Sequence, residues 1–194
     1  MPRQITIFAG SFKPPHKGHF SLVKKMLKCT AKPRKGDKGP GYVYIFISRK
    51  PREPCDGING PVSKQVWQAY VNTLSAKDQK RVRLVLSALP SPTQTAYGFA
   101  KRISSPGDMF FLIKSAKNAT NTRYASFKSL KNKAQYKTLI LPGFESMHST
   151  DMRKAIKAGK RAEFYKFLPS EMKKAEREKL WKKLKPLCKK SRSK

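Results

Sequence analysis

The segment "YVYIFIS", Tyr42 to Ser48, is a nearly continuous apolar run of strand-forming residues. Such a run suits a strand covered on both faces, which points to a sheet with helices packed on each side. Other short apolar runs repeat the signal: Ile5–Ala9, ended by Gly10, then Val82–Leu86, Met109–Ile113 and Leu139–Leu141. Between them lie helical patterns over Lys17–Lys28, with Phe20, Val23 and Leu27 as its apolar stripe, over Ser63–Leu74 and over Thr93–Arg102. A further helix is expected from Ser149 or Thr150 to Gly159, a suitable residue for a helix C-terminus. Lys32–Gly41 and Pro51–Pro61 read as loops, and Asn118–Lys133 as partly helical. Strands alternating with helices predict a parallel α/β sheet with right-handed crossovers. In such sheets ligands sit beyond the carboxyl ends of the strands, at the switch in strand order.

The chain has 194 residues, enough for one domain with a real core. Its charge is the anomaly: 44 Lys and Arg against 11 acids give a formal net charge of +33. That excess predicts a polyanionic neighbour, whether nucleic acid, an anionic membrane surface or an acidic assembly. From Ser170 onward the chain holds 11 Lys or Arg against 3 Glu, with Met172, Ala175, Leu180 and Leu184 as a thin apolar stripe. This reads as a basic helix and polar tail in which Lys179, Lys182 and Lys183, next to Trp181, would track phosphates; a solvated lysine-rich end is the plainer alternative. Cys29, Cys55 and Cys188 are odd in number and widely spaced, so they are expected to be reduced thiols, with neither a disulfide framework nor a zinc site. No run approaches the length of a membrane span, the first apolar run, Ile5–Ala9, is too short for a signal peptide's apolar region, and the chain reads as soluble and intracellular.

The first strand runs into "GSFKPPHKGH", residues 10–19, where an α/β sheet would place a ligand. Gly10 lets backbone approach a phosphate, Pro14 and Pro15 stiffen the loop, and Gly18 keeps the space between His16 and His19 clear. If Lys17 opens the helix, the N–H groups of its first turn favour an anion at the same spot. The two imidazoles, three residues apart, project to one side and would stabilise charge developing on a phosphate. Two histidines in an ordinary surface turn are the plain alternative.

This loop resembles the H-x-G-H signature of the nucleotidyltransferase superfamily, which includes nicotinamide-mononucleotide, phosphopantetheine and cytidylyl transferases. "MHSTDMR", Met147 to Arg153, resembles the superfamily's second signature, I-S-S-T-x-x-R; Ser149, Thr150 and Arg153 match, while Met147 and His148 depart from it. The K-M-S-K-S motif that class I aminoacyl-tRNA synthetases pair with a similar histidine motif is not found. "ISRKPREPCDGINGPVSKQVWQAYV" and "LPSPTQTAY" are more loosely similar to small members from phages and large DNA viruses. In order of elements the resemblance spans roughly Ile5 to Pro169.

The resemblance implies an α/β, Rossmann-like parallel sheet of about five strands with flanking helices over residues 1–169, followed by a basic C-terminal helix and tail over 170–194. It implies transfer of AMP or CMP from ATP or CTP to a small phosphate- or hydroxyl-bearing acceptor, with release of pyrophosphate. Mg²⁺ would bridge phosphate oxygens, with no side chain assigned as its ligand. Gly10, Ser11 and Phe12 would hold a phosphate, His16 and His19 the triphosphate and transition state, and Ser149, Thr150 and Arg153 the β- and γ-phosphates. Lys13 stands where some relatives have Asp or Asn, and its ammonium is expected at the triphosphate. Arg49, Lys50 and Arg52 follow the second strand and are candidates for the acceptor's phosphate.

Other polar or aromatic residues read as structural. Trp67 and Tyr70 are expected in the packing, Asp108 as a turn cap, and His148 as a neighbour at a helix entry. The rival to an enzyme is a structural or nucleic-acid-associated protein that keeps this fold, in host cytoplasm or a virion, as the charge suggests.

Overall fold

The computed structural model describes residues 2–30, 39–52, 55, 57–115, 127, 134–142 and 147–188. The strands are β1 (Gln4–Gly10), β2 (Tyr42–Ile47), β3 (Val82–Leu86), β4 (Met109–Ser115) and β5 (Gln135–Leu141). The helices are α1 (Lys17–Cys29), α2 (Gly60–Val71), α3 (Ala76–Gln79), α4 (Pro92–Ile103), α5 (Ser149–Lys157), α6 (Arg161–Tyr165) and α7 (Lys174–Leu184), with a 3-10 turn at Lys185–Cys188. All five strands run parallel in the order β3-β2-β1-β4-β5. This is the expected Rossmann-like α/β architecture. The strand order switches between β1 and β4, so a crevice opens at their carboxyl ends.

The central strands are apolar on both faces because each face is covered. Phe8, Val43, Ile45 and Ile47 join one core with Phe20, Val23, Trp67 and Tyr70, whereas Ile5, Ile7, Phe46, Phe110 and Leu112 join another with Ala96 and Ala100. Trp67 and Tyr70 are fully buried, as packing residues should be. Strand β5 begins four residues before the expected run, since "QYKT" alternates in exposure as an edge strand does and has no continuous apolar signature. Helices α2 and α4 begin earlier than their apolar patterns, through Asn59 and Ser91 caps and a proline in the first turn. The short helices α3 and α6 were not foreseen. The expectations for Lys32–Gly41 and Asn118–Lys133 fall largely outside the described residues.

At the sheet end opposite the crevice, Asp108 ties the entry of β4 to that of β1. Its carboxylate accepts from the Arg3 backbone at 2.9 Å, from Arg3 Nη2 at 2.6 Å and from the Ser105 N–H at 2.9 Å. The turn-cap expectation is met, and the same carboxylate also closes an ion pair across 105 residues.

The C-terminal segment is more than a basic appendage. Met172, Leu180, Trp181 and Leu184 are buried in the same core as α1 and α2, with Phe164 against Trp181 at 5.5 Å between ring centroids. Trp181 is therefore a core residue, with the Lys185 ammonium 5.6 Å from its ring centroid. Ala175, expected in the apolar stripe, is exposed.

The reading of three reduced thiols is corrected: Cys55 and Cys188 form a disulfide, and Cys29 is free and exposed. The 3-10 turn comes so close to the loop after β2 that a Cβ on Gly57 would lie 2.9 Å from Leu187 Cβ, and this close packing sets residues 55 and 188 together. A pairing across 133 residues leaves no spacing signature. The cysteine-based argument for a reducing compartment falls with it. Cys188→Ser should lower the free energy of unfolding by about 2–4 kcal/mol. Denaturant unfolding checks this, and reductant should produce a similar loss in the parent protein; an unchanged midpoint in both would count against the bond's role.

Candidate active site

Beyond the end of β1, the loop Ser11–Pro15 folds back on itself. Phe12 has φ 51, in the left-handed region, and its ring packs edge-on to His19 at 5.0 Å and to Trp67 at 5.4 Å. Gly10 is a glycine for this reason: a Cβ there would stand 2.7 Å from the Phe12 ring, which is wedged and cannot yield. The role expected for Gly10 was phosphate approach; in the fold its missing side chain makes room for an aromatic. Tyr70 supports the loop from below, its hydroxyl donating to the Pro15 carbonyl at 2.9 Å. The Lys13–Pro14 bond is cis.

The second motif docks onto the first. Arg153 Nη1 donates to the Lys13 carbonyl at 2.5 Å, and Ser149 Oγ donates to the Pro14 carbonyl at 2.9 Å. Arg153 Nη2 also donates to Thr150 Oγ1 at 3.0 Å. Sequence resemblance assigned these three residues to phosphates; in the fold Ser149 and Arg153 clamp the loop's backbone, and Thr150 braces Arg153.

His16 and His19 form a reciprocal cap at the start of α1. His16 Nδ1 accepts from the Gly18 N–H at 3.2 Å, and His19 Nδ1 accepts from the His16 N–H at 3.3 Å. Each neutral ring consequently carries its hydrogen on Nε2, as a donor. The rings lie 3.7 Å apart at 30°, an arrangement that two imidazolium ions would not tolerate. Burial, and secondarily His148, pushes His16 down to about 4; burial and the adjacent His16 hold His19 well below the ordinary value. His148 occupies the N-terminal cap position of α5 without making a side-chain cap, the helix-entry place expected of it.

One expectation about this helix fails. The Lys17 N–H donates to the Phe167 carbonyl at 2.7 Å and the Gly18 N–H to His16, so these first-turn donors of α1 are not open to an anion. The segment after α6 packs across the helix start and supplies the competing acceptor.

A cleft of about 350 Å³ lies at the switch point. Gly10, Ser11, Phe12, Lys13 and His19 line it from the first motif, and Ser149, Thr150 and Arg153 from the second, with Ile113 of β4 between them. His16 is not on its wall; it is buried behind His19. A second cavity of about 540 Å³ shares Gly10, Ser11 and Arg52 with the first and reaches Ser48, Lys50 and the start of α4 at Ser91–Thr93. Of the three basic acceptor candidates, Lys50 and Arg52 line this cavity. Arg49 does not: its Nε donates to the Ser87 carbonyl at 2.9 Å, joining the ends of β2 and β3.

Lys13 is almost wholly buried, and its ammonium donates to the Ser48 carbonyl at the end of β2. It lines the cleft, but part of its donor capacity is thus spent on the fold. Burial and then the charge of Arg52 lower it to about 8; the same two causes, in that order, lower Arg153. Arg52 Nη2 lies 3.5 Å from Ser11 Oγ, at the border of the two cavities. Among the described residues no cluster of His, Cys, Asp or Glu could hold a metal ion, and no carboxylate lines the cleft. These donors do not fit a protein-held Mg²⁺, which takes anionic and neutral oxygens in an octahedral shell.

No protein-family model matches the chain, and none of the curated proteins matches it. Among the described residues no helix is long and apolar enough to cross a membrane.

The histidines predict a pH dependence. In the unfolded chain they protonate near 6.5, whereas in the fold they stay neutral until His16 titrates near 4. Their contribution to stability is therefore intact above about pH 6.5 and declines as pH falls from there towards 4. Thermal unfolding between pH 7.5 and 4.5 should show the decline. His16→Asn with His19→Gln keeps cap-forming residues and should flatten it; an equally steep profile in the double variant would refute the assignment.

Proposed function

We propose that the protein is a nucleotidyltransferase that moves AMP or CMP from ATP or CTP to a small acceptor bearing a phosphate or hydroxyl. One observation carries the reading: the two motifs, more than a hundred residues apart in sequence, meet in a single cleft at the switch point of a parallel sheet. An acceptor oxygen attacks the α-phosphorus, the bond from that phosphorus to the oxygen bridging to the β-phosphate breaks, pyrophosphate leaves, and the proton of a hydroxyl acceptor passes to water. No covalent enzyme intermediate is required, so positioning and electrostatics supply the catalysis.

The chain's own residues divide that work. His19 offers Nε2–H to oxygens on which charge develops, and its neutrality suits a hydrogen-bond donor that must not repel neighbouring cations. His16 holds the His19 ring by stacking and by its backbone N–H. Lys13, Thr150 and Arg153 flank the phosphate chain, while the adjoining cavity, with Lys50 and Arg52, receives the acceptor. Any Mg²⁺ would be held by the triphosphate's own oxygens.

Pyrophosphate release should be measured with each triphosphate against nicotinamide mononucleotide, phosphopantetheine and small phosphoesters. His19→Gln keeps a cap-forming side chain at that helix position, so it should lower kcat by about 10²–10³-fold with little change in Tm. Absence of turnover with every pair would overturn the reading.

A second reading, association with nucleic acid, draws on ion-pair bookkeeping in α5–α7. There Asp151, Glu163, Glu176 and Glu178 already pair with Lys154, Lys160, Lys179 and Arg161, and Glu171 with Lys24. Lys157, Lys173, Lys174 and Lys183 are exposed and enter no such pair. The apolar side of α7 is buried, and Tyr42, Leu89, Leu139 and Ile140, the exposed large hydrophobics among the described residues, all lie outside this layer. Phosphate contact fits that surface better than insertion into a bilayer. Binding to duplex DNA or RNA should fall steeply with salt, and Lys174→Glu with Lys183→Glu should reduce the magnitude of the log–log slope by about 2. No affinity at low salt would remove this reading.

A further inference from the structure

Strand β3 ends the sheet on one side, and its outer edge is open. In the parallel pairing with β2, the Val43 N–H donates to the Arg81 carbonyl and the Ser87 N–H to the Ile47 carbonyl, so the inward bonds of β3 fall on its odd-numbered residues. The N–H and C=O groups of Leu84 and Leu86 therefore point outward, and among the described residues nothing bonds to them. Arg83 closes only the start of this edge, where its Nη1 donates to the Val82 carbonyl at 3.2 Å and to the Lys80 carbonyl at 2.7 Å. Beside the edge runs a groove of about 480 Å³ between α2, α3 and β3, and it shares no residue with the cleft or the cavity next to the cleft. Val71, Val82 and Leu84 form its apolar floor, and the exposed Lys64, Lys80 and Arg83 stand at its rim. Asp78, the one acid in these three elements, is paired with Arg81 at 2.9 Å, whereas Lys64 and Lys80 enter no ion pair among the described residues.

We propose that the outer edge of β3 and the adjoining groove bind an extended acidic peptide, which joins the sheet as a sixth strand. Its backbone pairs with Leu84 and Leu86, its apolar side chains cover Val71, Val82 and Leu84, and its carboxylates meet Lys64, Lys80 and Arg83. An unpaired edge supplies main-chain hydrogen bonds to any added strand, and the side chains beside it select which strand is taken. Here the rim is cationic without an available acid, so the selection is for negative charge. A second copy of this chain fits poorly, because pairing β3 with β3 would bring two cationic rims together. Nucleic acid supplies the charge but not the alternating backbone donors and acceptors that the edge requires, and its phosphates leave the apolar floor uncovered. The groove's role is independent of the chemistry in the cleft.

Fluorescence anisotropy of the full chain with a labelled, capped seven-residue peptide that alternates Glu with Val tests this. The peptide should bind, and its counterpart with Lys in place of Glu should not. Lys64→Glu with Lys80→Glu, both at exposed positions, should weaken binding by about 10-fold, with circular dichroism establishing that the variant is folded. Hydrogen exchange followed by NMR in the parent protein needs no variant: saturating peptide should slow the Leu84 and Leu86 amides by about 10-fold or more, because each gains a strand partner. Absence of binding up to about 1 mM peptide would overturn the proposal. Unchanged exchange at both amides, or binding that the folded double variant does not weaken, would do the same. Protection of these amides by oligothymidylate and not by the peptide would assign the edge to nucleic acid and overturn it as well.

Discussion

The contact between the start of α5 and the loop after β1 organises this molecule. Two donors, Arg153 Nη1 and Ser149 Oγ, take the carbonyls of Lys13 and Pro14, adjacent groups that the turn leaves without a strand or helix partner. A buried carbonyl without a donor is costly, and satisfying both in this way fixes the last helical layer over the first loop. The cleft exists because these two pieces meet. Its walls belong to both, and neither motif encloses a site by itself.

The same economy of hydrogen bonds governs the histidines. At the start of α1 the backbone N–H groups must be satisfied, and the sequence there supplies imidazole nitrogens and the Phe167 carbonyl. Using Nδ1 for capping leaves the hydrogen of each ring on Nε2, so a structural requirement sets the tautomer, and of the two rings that of His19 lines the cleft. The plain reading of the histidines and the chemical one are thus compatible: the rings cap the helix, and the cap orients them. Phe12 shows the same coupling in the backbone, where a left-handed conformation is held by a ring wedged between His19 and Trp67.

Much of the scaffold was legible in the sequence. Apolar runs located β1–β4 nearly to the residue; for β1, β2 and β4 this is because central parallel strands are buried on both faces and have to be apolar throughout, whereas β3 is an edge strand whose run VRLVL is mostly apolar all the same. Edge strand β5 was read three residues long and is seven, since one covered face leaves only alternation. For the site, position singled out the loop after β1, and resemblance the segment at Ser149–Arg153; residues of both line one cleft. Neither revealed that His16 lies behind His19, that Arg49 is spent on Ser87, or that first-turn N–H groups of α1 are occupied. Each of those depends on a partner supplied by a distant segment.

The sequence by itself determined the class of fold and a surface with far more positive than negative charge, because periodicity, glycine and proline placement, and composition are local properties, while resemblance pointed to the two segments that meet. Only the tertiary structure decided which groups of those segments face the cleft and which hold the fold. It also paired Cys55 with Cys188 and set α7 and the 3-10 turn after it into the core. The physical reason is that hydrogen-bond satisfaction and burial are settled by whichever groups folding brings within reach, and sequence distance carries no record of that proximity.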